Sequence, residues 1–267
     1  MSATFQGCAG FDSATFEGGV WFGSATFESD ARFESATFES DARFESATFE
    51  GDARFESATF QGEARFRSAT FKGYAGFMSA TFKGDAGFDS VTFESGAGFD
   101  STAFQGYAGF GSASFEGYAG FGAAAFEGYA GFRSVTFEGN VGFGSATFKG
   151  GVAFESATFK RDARFESTAF ETASSLGPLV CAGQVTLSGA LFGGPVILSF
   201  AARRLECRRA RWSSTAEMRL RFATVDFAHA VFEYPSPSRQ SPIHSCSTTA
   251  DRWQKSFLPP RPTPRCG

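Results

Sequence analysis

The spacing of phenylalanine constrains the fold of this chain more than any other feature. From Phe5 to Phe170, 31 phenylalanines follow one another at alternating intervals of six and five residues, without a miss. On an α-helix of about 3.6 residues per turn these steps amount to roughly 240° and 140°, so the rings would scatter around the cylinder. A helix therefore cannot gather these side chains on one face.

A small residue precedes each phenylalanine by two positions. It is alanine or valine in nearly every unit, and threonine at Thr102 and Thr168. Because a separation of two residues is the period of a β-strand, the small residue and the phenylalanine both point inward and the residue between them points outward. The two or three residues that remain, commonly Glu-Ser or Glu-Gly plus one more, form a corner, for which glycine and serine are suited.

The units Ala-Thr-Phe-Glu-Ser and Ala-Arg-Phe-Glu-Ser resemble the repeats of the pentapeptide-repeat family. That resemblance implies an all-β fold, a right-handed four-sided parallel β-helix (β-solenoid) with one unit on each side. Every second unit of this chain carries one additional residue, an eleven-residue variant of the family's pattern. Two units of five and two of six then make one coil of about 22 residues, so Phe49 should stack between Phe27 and Phe71 at about 4.8 Å.

The sequence predicts three segments. Residues 1–172 form the regular β-helix, and residues 173–234 form a degenerate continuation in which the small-then-large spacing persists, with an irregular arginine-rich excursion near 202–216. Residues 235–267 contain seven of the nine prolines and no repeat, which is typical of a disordered tail.

Charge is distributed unevenly and gives a first candidate surface. Residues 1–171 carry 23 Asp and Glu against 12 Lys and Arg, whereas residues 172–267 carry 5 against 12. Ranks of carboxylates should run along the corners, at Glu17, Glu28, Glu34, Glu39, Glu45, Glu50 and Glu56. Some members of the resembled family imitate double-stranded DNA and bind type II topoisomerases such as DNA gyrase, which makes an acidic mimic one hypothesis. The simpler interpretation is solubility, since four arginines alternate with these acids, at Arg32, Arg43, Arg54 and Arg65 beside Asp30, Asp41, Asp52 and Glu63.

A nearly uncharged band between residues 95 and 132 gives a second candidate surface. Tyr107, Tyr118 and Tyr129 occupy the additional corner position of their units. Glycine occupies the outward position of neighbouring strands, at Gly98, Gly109, Gly120 and Gly131. Bare backbone beside exposed tyrosine predicts a protein-docking surface, and the alternative is drift of the repeat without consequence.

Groups for catalysis are scarce. The two histidines, His229 and His244, have no nucleophile in a recognisable context, and no phosphate-binding glycine loop is present. The five cysteines are too far apart for a zinc motif or a disulfide framework. We therefore expect no enzymatic activity, no cofactor and no metal.

The N-terminus and the uncharged residues 173–202 indicate where in the cell the protein is located. The N-terminus lacks the pattern of a signal peptide, so we expect a cytoplasmic protein. The resemblance to the pentapeptide-repeat family implies a bacterial one. Residues 173–202 are uncharged, but Pro178, Pro195 and alternating apolar residues argue against a membrane span.

The sequence thus predicts a structural or protein-binding module whose protein partner is unknown, without direct binding of nucleic acid. The first coil begins at Ala3 with no capping element. Its unpaired strand edges predict a homodimer through the N-terminal coil, head to head, or else an upstream segment that covers them.

Overall fold

The computed structural model of the chain describes residues 3–233, and within this range every regular element is a β-strand. Each turn of the chain forms one coil of four short strands, one on each of four faces. The strands of successive coils pair in parallel on the same face, as Thr4 does with Thr26 and Ala9 with Ala31. The predicted all-β solenoid with about 22 residues per coil is confirmed.

The strands of each face stack along the axis. The first face contains Thr4–Phe5, Thr26–Phe27, Thr48–Phe49, Thr70–Phe71, Thr92–Phe93, Ser114–Phe115, Thr136–Phe137 and Thr158–Phe159. The second face contains Ala9–Gly10, Ala31–Arg32, Ala53–Arg54, Ala75–Gly76, Ala97–Gly98, Ala119–Gly120, Val141–Gly142 and Ala163–Arg164. The third face contains Thr15–Phe16, Thr37–Phe38, Thr59–Phe60, Thr81–Phe82, Ala103–Phe104, Ala125–Phe126, Thr147–Phe148, Ala169–Phe170, Leu191–Phe192, Arg211–Trp212 and Val231–Phe232. The fourth face contains Val20–Trp21, Ala42–Arg43, Ala64–Arg65, Ala86–Gly87, Ala108–Gly109, Ala130–Gly131 and Val152–Ala153. Four longer strands bend around the remaining faces near the end, at Ser174–Thr186, Val196–Glu206, Ala216–Arg221 and Thr224–Asp226. Each corner is named below after the face that precedes it.

Stacked phenylalanine rings fill the interior. From Phe27 to Phe170 every inward phenylalanine is at most 2% exposed. Phe49 lies parallel to Phe27 at 4.8 Å and to Phe71 at 4.7 Å between ring centroids, as predicted, and meets Phe55 edge-to-face at 6.2 Å. Both geometries suit the quadrupole of an aromatic ring, so one continuous core runs through the coils.

Serine, not glycine, takes the strained position at the two-residue corners. Ser35 has φ 58°, and the equivalent residues of all the other two-residue corners from Ser13 to Ser167 are also left-handed, with alanine in place of serine at Ala123. The Ala36 N–H donates to the Phe33 carbonyl at 3.1 Å to close the turn, and the Ser35 N–H donates to the backbone carbonyl of Glu56 in the next coil at 2.8 Å. These hydrogen bonds offset a left-handed conformation that costs a non-glycine residue about 1 kcal/mol.

The coil becomes shorter near the end of the described chain. Ser174 still pairs with Val196 at the full coil length, whereas Gln184 pairs with Arg204, because two register shifts each remove one residue. The shorter spacing then persists, as between Leu191 and Arg211. The arginine-rich residues 202–216, for which the sequence predicts an irregular excursion, lie within these regular coils, since Arg203 and Arg204 belong to the strand Val196–Glu206.

Threonine replaces the small inward alanine at two places without leaving a polar group unpaired. The buried hydroxyls of Thr102 and Thr168 donate to the carbonyls of Phe77 and Phe143, each at 2.7 Å.

No helix among residues 3–233 is long and apolar enough to cross a membrane. The predicted disordered tail, 235–267, lies outside the described residues.

Candidate protein-docking surfaces

The three tyrosines of the uncharged band lie on two opposite corners of the solenoid. Tyr107 and Tyr129 lie at the third corner, one coil apart, with parallel rings whose centroids are 6.1 Å apart. Tyr118 precedes the strand Ala119–Gly120 of the second face and therefore lies at the first corner, in the same column as Tyr74. The prediction that all three tyrosines form one surface is therefore wrong. Successive tyrosines are eleven residues apart, which is half a coil, so Tyr118 lies on the side opposite Tyr107 and Tyr129.

The glycines of the band are not bare backbone, because side chains cover them: Tyr74 lies over Gly98, Tyr107 lies over Gly109 and Gly131, and the Asp100 carboxylate lies over Gly120. A Cβ on Gly109 would lie 2.7 Å from the ring of Tyr107, and one on Gly131 would lie 3.0 Å from the Tyr107 hydroxyl. On the opposite side, a Cβ on Gly142 would lie 2.9 Å from the Tyr118 hydroxyl. Glycine at the outward position therefore lets each ring lie flat on the face, where it is held by contact with backbone.

Each ring nevertheless keeps a large exposed part. Tyr107 and Tyr129 are each 42% exposed, and Tyr118 is 56% exposed. Partial burial raises the pKa of the Tyr107 and Tyr118 phenols above the usual value. These hydroxyls are therefore neutral at physiological pH. A rigid ring with a neutral hydroxyl at its tip is the kind of group that protein interfaces favour.

The seven glutamates of the predicted acidic surface are spread over all four corners. Glu28 and Glu50 lie at the first, Glu34 and Glu56 at the second, Glu17 and Glu39 at the third, and Glu45 at the fourth. Three of them are near cations, since Glu34 lies 3.8 Å from Arg54, Glu45 lies 3.8 Å from Arg65, and Glu50 lies 2.8 Å from Lys72. They therefore surround the rod and form no single acidic face.

The arginines interrupt this acidic field mostly as the sequence predicts. Arg43 pairs with Asp41 at 3.5 Å, Arg54 pairs with Asp52 at 3.4 Å, and Arg65 pairs with Glu63. Among residues 3–233 the expected fourth pair, Arg32 with Asp30, is not formed. These pairs are partly exposed and contribute little to stability one by one, but they lower the net negative charge of the coils.

Glu56 and Glu63 titrate in opposite directions. Burial over the backbone of Gly76 raises the pKa of the Glu56 carboxyl, one oxygen of which is buried without a hydrogen-bond partner. The hydrogen bond from Arg65 lowers the pKa of the Glu63 carboxyl. Glu56 is thus a cost to folding at neutral pH, whereas Glu63 is stabilising there.

Aspartates at the corners form axial ladders that sequence reasoning missed. One carboxylate oxygen of each accepts a hydrogen bond from the backbone N–H at the equivalent position of the next coil. Asp52 accepts from Tyr74 at 3.0 Å, Asp85 from Tyr107 at 2.9 Å, and Asp100 from Gly122 at 2.7 Å. The signal was the short aspartate side chain at a corner, either directly before the inward alanine, as at Asp52 and Asp85, or directly after the phenylalanine, as at Asp100. These ladders fix the backbone from which Tyr74 and Tyr107 project.

A family model of pentapeptide repeats, described as nine copies, matches residues 2–48, 33–77, 44–92 and 121–169. The matched residues make up more than half of the chain. This chain belongs to the pentapeptide-repeat family. No curated protein matches it. Pentapeptide-repeat solenoids are generally non-catalytic.

Within residues 3–233 of this pentapeptide-repeat chain, the cysteines and the histidine are either buried or isolated from one another. Burial raises the pKa of the Cys181 thiol to about 11 and that of the Cys207 thiol to about 12, so both remain protonated. Cys8 and His229 are exposed and lie near opposite ends of the described chain. Within residues 3–233 no group of three or more His, Cys, Asp or Glu could hold a metal ion.

Proposed function

We propose that this pentapeptide-repeat chain is a non-catalytic protein-binding module that docks a protein partner on the ridge formed by Tyr107 and Tyr129. The observation that carries the proposal is the parallel stack of two half-exposed rings on a glycine face. Along the sequence, residues 95–132 contain only three charged residues, at Asp100, Glu116 and Glu127. In space, the charged residues Asp85, Asp89 and Arg133 of the same and adjacent coils border Tyr107. Aromatic anchors with polar and charged residues at their rim are typical of a protein interface.

The solenoid beneath makes this ridge rigid. The inward rings of the coils below it are at most 1% exposed, at Phe104, Phe110, Phe126 and Phe132. Asp85 and the glycine backbone hold Tyr107 from below. Because these groups are already ordered, a partner loses little conformational entropy when it binds them.

Capture of partners with two matched double variants tests this proposal. Tyr107→Ser with Tyr129→Ser removes the ridge, and Tyr74→Ser with Tyr118→Ser removes the same chemistry from the opposite corner. We expect quantitative mass spectrometry of bacterial lysates to find a protein that the wild-type chain and the Tyr74/Tyr118 variant retain and the Tyr107/Tyr129 variant loses. Equal capture by both variants would count against the ridge.

An acidic mimic of DNA that modulates a type II topoisomerase is the second candidate, and one observation favours it for the first coils. Residues 3–68 carry 12 Asp and Glu against 5 Lys and Arg in three coils. Three coils span about 14 Å, so one net negative charge falls on roughly every 2 Å, close to the value of about 1.7 Å for duplex DNA. Residues 69–170 carry 10 against 7 and do not sustain this density.

Inhibition of DNA gyrase supercoiling tests the second candidate. If the first coils imitate DNA, the wild-type chain should inhibit the enzyme, and Glu28→Gln with Glu50→Gln should weaken that inhibition. The control is Glu116→Gln with Glu138→Gln, which changes the same column of the first corner in later coils. Absence of inhibition by the wild-type chain would remove this candidate.

A further inference from the structure

The third face runs without interruption along the whole described solenoid. Its strands form a separate sheet of eleven, from Thr15–Phe16 to Val231–Phe232. We number these strands as rungs 1 to 11. Ten strand spacings give this face a length of about 48 Å. It is the place where a second elongated molecule could lie along the rod.

Short, uncharged side chains occupy the middle of this face. The outward residues of rungs 3 to 8 are Thr59, Thr81, Ala103, Ala125, Thr147 and Ala169. The next rung presents Leu191, which is 48% exposed. On the opposite, first face, the outward residue is threonine or serine in every strand as far as Thr158–Phe159. The third face therefore permits the closer approach and offers the more apolar surface.

Opposite charges border the two ends of the third face. Asp12 and Glu34 lie at the second corner beside rungs 1 and 2, and Glu39 lies at the third corner beside rung 2. At the other end, Arg209 lies at the second corner beside rung 10 and Arg211 points outward from it. Neither Arg209 nor Arg211 takes part in an ion pair within residues 3–233. A face that is acidic at one end and basic at the other is complementary in charge to the same face of a second copy that runs in the opposite direction.

We propose that a second copy of this chain packs antiparallel on the third face, with the two-fold axis at Ala125. A two-fold axis parallel to the strands of this face places rung n of one copy opposite rung 12 − n of the other. It also places each corner opposite the same corner of the other copy. Ala125, at rung 6, then meets its own counterpart. Arg209 meets Glu34, and Lys83 at rung 4 meets Glu171 at rung 8. Each of these ion pairs occurs twice in the dimer.

Like charges oppose one another at two places in this arrangement. Glu17 meets Glu233 at the exposed ends of the face, where water and salt screen the repulsion. Glu127, at rung 6, meets its own counterpart, but Lys149 of the same chain lies 2.6 Å from this carboxylate and neutralises it. The charges that border the face therefore favour association overall.

The size of the contact sets its strength. A face about 48 Å long and one three-residue strand, roughly 10 Å, in width covers about 500 Å² per copy. The total of about 1,000 Å² lies at the lower limit for a specific interface. The dimer should therefore be weak and should depend on salt, because its ion pairs lie at the rim.

Sedimentation equilibrium of the full chain tests this interface. We expect a reversible dimer in about 0.1 M salt that weakens at least tenfold in about 1 M salt, where the Debye length falls from about 10 Å to 3 Å. Ala125→Arg should weaken the dimer at least tenfold, because two guanidinium groups meet on the axis. Ser114→Arg is the matched control at the same level of the first face and should leave association unchanged. Arginine fits the outward position, as at Arg43 and Arg65.

A charge exchange gives the decisive comparison. Lys83→Glu and Glu171→Lys should each weaken the homodimer several-fold. An equimolar mixture of the two variants should recover wild-type affinity, because both ion pairs are restored in the heterodimer. A chain that is monomeric in all conditions would overturn the proposal, as would a mixture no tighter than either variant. Equal association of Ala125→Arg and Ser114→Arg would also overturn it and would direct attention to another surface, such as the N-terminal coil. A monomer that binds heparin through Arg209 and Arg211 would assign these arginines to a polyanion and contradict the dimer.

Discussion

Removal of one central ring, Phe93→Ala, tests whether the stacked core supports the solenoid. Phe93 is fully buried, lies parallel to Phe71 at 5.1 Å and to Phe115 at 4.7 Å, and meets Phe99 edge-to-face at 5.9 Å. Burial of the side chain contributes about 2–3 kcal/mol, and each aromatic pair adds roughly 0.5–1.5 kcal/mol. Because the backbone ladder holds the rings above and below, the cavity cannot collapse. We expect unfolding to become easier by about 3–5 kcal/mol.

Chemical denaturation of Phe93→Ala beside Thr92→Ala measures this effect. Thr92 is the outward neighbour on the same strand, so its truncation should change the free energy of unfolding by less than about 0.5 kcal/mol. Hydrogen exchange should locate the loss of protection in the coils around Phe93, since neighbouring coils stabilise one another. Equal denaturation midpoints for the two variants would refute the assignment of Phe93 to the core.

Three further changes test the small inward position, the corner ladders and the acidic coils. Ala80→Leu inserts a large side chain beside Phe82 and should lower the free energy of unfolding by about 1–3 kcal/mol in urea denaturation. A midpoint equal to that of the wild-type chain would show that Ala80 does not point inward. Asp52→Ala deprives the Tyr74 N–H of its acceptor and should destabilise by about 1–3 kcal/mol, whereas Asp52→Asn keeps an oxygen there and should retain most of the stability. Equal losses would contradict the ladder. For Glu56, whose pKa is raised in the folded state, stability decreases as pH rises from the unfolded pKa through the folded one. Glu56→Gln should therefore raise the midpoint at pH 7 and not at pH 3, and the reverse pH dependence would contradict the burial of this carboxyl.

The sequence was sufficient for the core because every inward contact recurs at the same interval, once per coil. The position of Phe49 between Phe27 and Phe71 follows from the number of residues per coil, once a coil of four sides is assumed. The shortening of the coil after Ser174 could not be counted in this way, because the register shifts occur where Gly177 and Gly183 interrupt the repeat. The left-handed serines are equally hard to anticipate, since their strain is offset by hydrogen bonds to the next coil.

The surfaces were predicted less well, because a feature that recurs every eleven residues in the sequence alternates between opposite sides of the solenoid. Tyr107, Tyr118 and Tyr129 recur every eleven residues, whereas only residues a full coil apart share a column. The length of the coil already implied that Tyr118 faces away from the other two. The covering of Gly109 and Gly131 by Tyr107 depends on side-chain packing between coils, which no spacing reveals.

Site-specific photocrosslinking tests most directly whether the Tyr107–Tyr129 ridge binds a protein. Tyr129→p-benzoylphenylalanine places a reactive ring on the ridge, and Tyr118→p-benzoylphenylalanine places the same ring on the opposite corner. We expect irradiation in bacterial cells to yield an adduct with one distinct protein from position 129, and no such adduct from position 118. Absence of an adduct at 129, or the same adduct from both positions, would contradict the proposed docking of a partner on this ridge.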